Sequence, residues 1–147
     1  MLYEPTTLAS VARLIGDCLD SDYGIDADPL FAELDIDRSK FVKPGSRVSF
    51  AKMNELWTKA TAITNDPGFG FAVGKMARPS DFFVLGHAWL ASATLKGALR
   101  RLCRYGQVLT TQGSKLRLLD QDDTCVLIES YSDAVGPRQK AAKDAGF

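Results

Sequence analysis

Few side chains in this sequence that could act as nucleophile, base or metal ligand are placed to work together. His87 is the single histidine, so a histidine dyad or a His-rich metal centre cannot form within the chain. It lies in the apolar run Val84-Leu85-Gly86-His87-Ala88-Trp89-Leu90. An imidazole there can bond to backbone or water, or offer a polar handle to a ligand; a lone buried histidine can also bind haem iron. Cys18, Cys103 and Cys125 make no CxxC pair and no His-Cys cluster. An odd, scattered set fits a reducing compartment, and Cys18 and Cys103, beside apolar helical positions, read as buried, inert thiols. No G-x-S-x-G elbow supports a serine nucleophile. Gly68-Phe69-Gly70-Phe71 lacks the third glycine and the preceding strand of a dinucleotide loop. Asp20, Asp22, Asp26 and Asp28 lack EF-hand spacing and its closing glutamate, and read as a solvated loop. No catalytic residue, metal ligand or cofactor is expected, and the chain does not read as an enzyme.

The aromatic residues carry more information. Trp57, Phe69, Phe71, Phe82, Phe83 and Trp89 lie on three neighbouring helical segments. Most such rings are core, yet apolar pockets between helices are where small ligands bind, oriented by a few polar groups. Phe83 and His87, four residues apart, share a helical face, while Trp89 points elsewhere. The ligand-binding candidates are therefore Phe83 and His87, with Trp57 on the facing helix. The competing reading makes all three packing residues.

The elements that would position these groups are mostly helices. Leu8, Val11, Ala12, Ile15 and Leu19 recur at helical spacing after Thr6 or Thr7 as cap, and Gly24 offers a left-handed stop. Asp28-Pro29 opens a short helix through Leu34 as cap and first-turn proline. Pro44-Gly45 breaks the charged stretch that follows. Ser49 then caps a helix whose stripe is Met53, Leu56, Trp57, Ala60 and Ile63. Asn65-Asp66-Pro67-Gly68 ends it and leads into a short helix with Phe69, Ala72, Val73 and Met76. After the break at Arg78-Pro79-Ser80-Asp81, Phe82 to Leu90 reads as a buried helix. The next helix has Leu95, Ala98, Leu99 and Leu102 inside and Arg100, Arg101 and Arg104 on its wet side. Beyond Gly106, residues 115–119 and 124–129 read as a hairpin around Asp120-Gln121-Asp122-Asp123. The fold class is α+β: a mostly helical N-terminal two thirds, then an antiparallel β-hairpin or small sheet. The hairpin must pack on helices or join a larger sheet, because an isolated one is marginal.

Composition narrows the partners. At 147 residues the chain suits one domain, and it has 18 basic and 18 acidic side chains. Zero net charge argues against duplex binding by this segment alone, since that affinity rests on cationic contacts to phosphate. The start Met1-Leu2-Tyr3-Glu4-Pro5 is no signal peptide, and no apolar run approaches the roughly 20 residues of a membrane span. No membrane partner is expected, and the location reads as cytoplasmic.

A set of short blocks, in order over about a hundred residues, carries a resemblance. They are Gly24-Ile25-Asp26 with Leu30; Pro44-Gly45-Ser46-Arg47-Val48; Leu56-Trp57-Thr58-Lys59-Ala60-Thr61 through Asp66-Pro67; Gly70-Phe71-Ala72-Val73-Gly74; Leu85-Gly86-His87-Ala88; and Ala91-Ser92-Ala93-Thr94-Leu95, leading to Arg104-Tyr105. From Gly24 to about Glu129 the chain resembles the N-terminal arabinose-binding-like domain of AraC/XylS-type regulators, in the subgroup of ornithine-responsive and virulence regulators. The resemblance implies a domain that binds a small-molecule effector, often as a homodimer. It also implies control of promoter DNA through a C-terminal helix-turn-helix pair. That pair is absent from residues 1–147, and Pro137-Arg138-Gln139-Lys140-Ala141-Ala142-Lys143 looks like a helix just begun, so the chain reads as a fragment. The resemblance supplies no ligand-contact motif and does not identify the effector. The alternative is a free-standing enzyme or a small-molecule, metal- or haem-binding domain with a helical pocket.

Overall fold

The computed structural model describes residues 4–112, 115–121, 124–130 and 140–145. In chain order its elements are β1 (Thr6–Leu8), α1 (Ala9–Asp22), α2 (Asp28–Glu33), β2 (Arg47–Ser49), α3 (Phe50–Thr64) and α4 (Phe69–Met76). There follow α5 (Phe83–Leu90), α6 (Leu95–Tyr105), β3 (Lys115–Gln121), β4 (Thr124–Ser130) and α7 (Lys140–Asp144). Single 3₁₀ turns occupy Arg38–Val42, Pro79–Phe82 and Gly106–Val108. Helices followed by a hairpin give the α+β class read from the sequence.

The helices form where their apolar stripes find partners. In α1, Val11, Ala12, Ile15 and Leu19 are buried as their spacing predicts, joined by Leu14 and Cys18. This helix packs on α3, on α4 and on the 38–42 turn. Ser49 caps α3, its Oγ accepting from Lys52 N at 3.3 Å, and Asn65 closes it at φ 50°. Within α3, Met53, Leu56, Trp57 and Ala60 are buried, whereas Ile63, the last residue of the expected stripe, is 50% exposed. Gly70 lets α4 lie against α7, because a Cβ there would overlap the Ala141 carbonyl. The start of α7 agrees with the helical reading of the tail; Pro137, Arg138 and Gln139 lie outside the described residues.

Several local expectations change. Thr6 and Thr7 do not cap α1; they lie in β1, which pairs antiparallel with β2, Thr7 opposite Val48. Leu8 holds the cap position, and the Ala9 N–H reaches Ser46 O at 2.8 Å. The other edge of β1 meets residues 109–111, with Leu8 N on Leu109 O at 3.0 Å and Thr111 N on Thr6 O at 2.9 Å. Asp28 is the first residue of α2, and Ala27 precedes it as cap. The run Phe82 to Leu90 is not a buried helix: within α5 only Leu85 and Gly86 are buried, and Val84 and Leu90 are 78% and 67% exposed. The helix packs on the 79–82 turn and on α6, so it buries one stripe and leaves the rest to solvent. Leu95 is likewise exposed, and Cys103 is half-buried instead of buried.

The hairpin pairs Lys115 with Ser130 through Gln121 with Thr124. It rests on α6 through β3, and Lys96 and Arg100 both bind Asp120, at 2.6 and 2.9 Å. Asp122 and Asp123 of the expected acidic turn lie outside the described residues.

A polar tie joins the end of α1 to the loop before α4. The Tyr23 hydroxyl donates to Asp66 Oδ2 at 2.6 Å, and its ring meets Phe69 edge-on at 5.5 Å. Tyr23 is pushed up to about 12, first by the bond to Asp66 and then by burial. The Asp66 carboxyl is held below its usual value, first by the Tyr23 hydroxyl and then by the Gly68 N–H. The raised tyrosine contributes stability that is present below roughly pH 10 and is lost as pH rises through about 12. The depressed aspartate contributes above roughly pH 4 and loses that contribution as pH falls through its lowered value. We expect Tyr23→Phe to lower the urea midpoint most at neutral pH, with the gap to wild type narrowing at pH 3 and above pH 11. A gap constant across that range would show that the bond adds nothing.

Candidate functional site

The break before α5 builds a hollow lined by both sides of the turn. Ser10 Oγ donates to the Asp81 carbonyl at 2.6 Å. Arg13 binds Asp81 Oδ1 at 2.5 Å, and Asp81 Oδ2 accepts the Arg78 N–H at 2.7 Å. Asp81 is 9% exposed, and a buried carboxylate of this kind persists only when paired and hydrogen-bonded. These bonds fasten the 79–82 turn to α1. Phe83 then starts α5 at φ 49°, a region that bulky L-residues rarely occupy and that stores of order 1–3 kcal/mol. Gly86 makes the tight reversal feasible, because any Cβ there would overlap the Pro79 carbonyl oxygen.

The reversal turns Phe82, Leu85, Gly86 and Trp89 toward one cavity of about 260 Å³. Their spacing of i, i+3, i+4 and i+7 is one helical face. Ala77, Arg78 and Pro79 form a second wall, and Leu102 of α6 with Leu109 forms the third. Among the described residues, apart from backbone and the Trp89 indole N–H, Arg78 brings the only polar side chain to this lining. The site can thus shelter an apolar body beside one cation and holds no acid–base pair.

The three residues chosen from the sequence are not brought together. Trp57 is 1% exposed and sits in the core, its ring edge-on to Phe69 at 6.0 Å. It borders a void of about 20 Å³, room for about one water. Phe83 is half-buried against the main core. His87 is exposed, and its Nδ1 lies 2.7 Å from the Phe83 carbonyl. None of Phe83, His87 and Trp57 lines the larger cavity, whereas Phe82 and Trp89 do. The signal for these two lay in the 82-85-86-89 stripe, masked because its neighbours are apolar too.

Other groups with chemical potential are already engaged. Burial pushes the Cys18 thiol up to about 11, with the charges of Asp22 and Asp66 adding to it, and burial also raises Cys103. A thiol kept protonated is a poor nucleophile. Among the described residues no three His, Cys, Asp or Glu side chains gather as a metal site. A second cleft of about 170 Å³ is lined by Asp35, Asp37, Lys40, Arg47 and Lys52, among others. Several of its polar groups already have partners: Lys52 binds Asp35 at 2.9 Å, Asp37 accepts from Ser39, and Arg47 donates to Thr6 and to the Val108 carbonyl.

Residues 24–145 match the family described as the arabinose-binding domain of AraC transcription regulator, N-terminal. The chain belongs to this family. This AraC-type domain is thereby a ligand-sensing regulatory module by descent. It is also similar to the ornithine utilization regulator of Pseudomonas aeruginosa, with 31% identity over 89 residues. That match covers 60% of this chain and 26% of the relative, so the chain spans about a quarter of the curated relative it matches. Among the described residues, no helix of this AraC-type domain is long and apolar enough to cross a membrane.

Proposed function

We propose that the domain senses a small apolar effector in the cavity between the 77–82 turn, α5 and α6. The observation that carries this is the near-absence of polar side chains around about 260 Å³ of space. A sugar such as arabinose would leave most of its hydroxyls without partners there, at a cost of about 1–3 kcal/mol each. Ornithine would bring ammonium charge to a lining that, among the described residues, has no carboxylate side chain. Apolar contact suits both the walls and the hydrophobic driving force. The cavity is smaller than the roughly 300–1,000 Å³ of drug-sized sites, which favours a compact molecule.

Occupancy has two routes outward. Leu109 forms part of the wall, and its carbonyl accepts from Leu8 N of β1. Asp81 ties the turn to Arg13 of α1. A ligand that shifts either wall biases the core of the domain. In our reading the responding partners are promoter DNA, reached through a helix-turn-helix module of the whole regulator, and a second copy of the domain.

Calorimetry against aromatic and aliphatic acids, their alcohols, sugars and amino acids tests the reading. Apolar compounds should bind and should shield Trp89 from acrylamide, while buried Trp57 stays silent throughout. Leu102→Trp should fill the cavity and weaken binding at least roughly tenfold with the far-UV circular dichroism unchanged. Equal affinity in a folded Leu102→Trp variant would sink the proposal.

A further inference from the structure

We propose that Arg78 is the head-group subsite of this cavity and that the effector is an apolar monocarboxylate. The inference rests on the cavity reading above and adds the chemistry of its rim. Arg78 lines the cavity and is itself exposed, which places a permanent positive charge where an apolar body would leave its polar end. Many other cations in the fold have carboxylate partners. Arg13 binds Asp17 and Asp81, Arg38 binds Asp20 and Asp28, Lys59 binds Glu33, and Lys96 and Arg100 share Asp120. Among the described residues, the guanidinium of Arg78 has no such partner.

The contrast is sharpest at Asp81, three residues along the same turn. Its carboxylate is occupied by Arg13 on one oxygen and by the Arg78 N–H on the other. The turn therefore fixes the Arg78 backbone while leaving its guanidinium unneutralised. A guanidinium presents a planar fork of donors that matches a carboxylate in two parallel hydrogen bonds. Among the described residues no acidic side chain lines the cavity to compete for it. Below the rim, Phe82, Leu85 and Leu102 offer only apolar surface, so a second charge on the ligand would be buried without a partner. One anionic head with a compact apolar tail is the chemistry that satisfies both parts.

Matched probes separate the head from the tail: octanoate against 1-octanol, and 3-phenylpropionate against 3-phenyl-1-propanol. Each is titrated by calorimetry into the 147-residue chain, into Arg78→Gln, Arg78→Lys and Leu102→Trp, with folding of each variant checked by circular dichroism. We expect at least one acid to bind roughly tenfold more tightly than its alcohol. That margin should shrink at high salt, because the rim is open to solvent. Arg78→Gln should erase the margin by weakening the acid alone; Arg78→Lys should keep part of it; Leu102→Trp should weaken acid and alcohol together. Alcohols that bind as well as acids, with Leu102→Trp still weakening both, would overturn the Arg78 subsite and leave the apolar cavity standing. Acids whose affinity ignores Leu102→Trp, or probes that do not bind at all, would overturn both.

Discussion

Trp57→Ala should cost about 3–5 kcal/mol of unfolding free energy, the range for deleting a large ring from a packed core. The ring is 1% exposed at the middle of α3. It meets Phe69 edge-on at 6.0 Å, and Phe69 in turn meets Tyr23 at 5.5 Å. Those three rings join α3, α4 and the end of α1, which also carries the fully buried Ile15, Cys18 and Leu19. The adjoining void is only about 20 Å³, so the ring is closely packed on that side. A loss this large is a substantial part of the 5–15 kcal/mol that holds a typical domain together. Urea unfolding should show a lower midpoint with an unchanged slope. A loss below about 1 kcal/mol would mean that the ring contributes no core packing.

Gly86→Ala should damage both stability and ligand binding. The added methyl would fall on the carbonyl oxygen of Pro79, and backbone held in a 3₁₀ turn yields less readily than a side chain. Overpacking typically costs about 1–3 kcal/mol, against a helix-propensity gain of only about 1 kcal/mol for replacing glycine. The turn is also tied to α1 by Ser10, Arg13 and Asp81, so α5 is the part that must swing away. That movement separates Leu85 and Trp89 from Pro79 and opens the cavity. The variant should melt at a lower temperature and lose affinity for any cavity ligand, as read by calorimetry below the melting transition. Unchanged affinity in the folded variant would show that close contact between α5 and the turn is not needed for binding.

How legible these features are in sequence depends on whether a local pattern reports them. The α3 helix is plain, since Ser49, the 53-56-57-60 stripe and the Asn65 stop agree with one another. The faces of α5 are not. Every position from Phe82 to Leu90 except His87 is apolar or glycine, so periodicity cannot tell the stripe 82-85-86-89 from the pair 83 and 87. Spacing rightly put Phe83 and His87 on one face, where they share a hydrogen-bond contact, but it is a different face from the one that meets the cavity. The strands β1 and β2 have three residues each and lie about forty apart in sequence; strands so short carry no readable alternation. The role of Arg78 is hidden for another reason. Whether its charge is neutralised depends on Arg13 reaching Asp81 first, a contact between residues 68 apart.

The placement of β1 also governs the order in which the molecule can be assembled. Thr6 and Leu8 find backbone partners in residues 109–111, roughly a hundred positions downstream. Contacts of that span are entropically late and slow folding. On a ribosome adding about 5–20 residues per second, the first strand would wait on the order of five to twenty seconds for its second neighbour to be made. Until then one strand edge stays open, so the nascent chain passes through an interval in which the early helices can form but the seam between residues 6–8 and 109–111 cannot close.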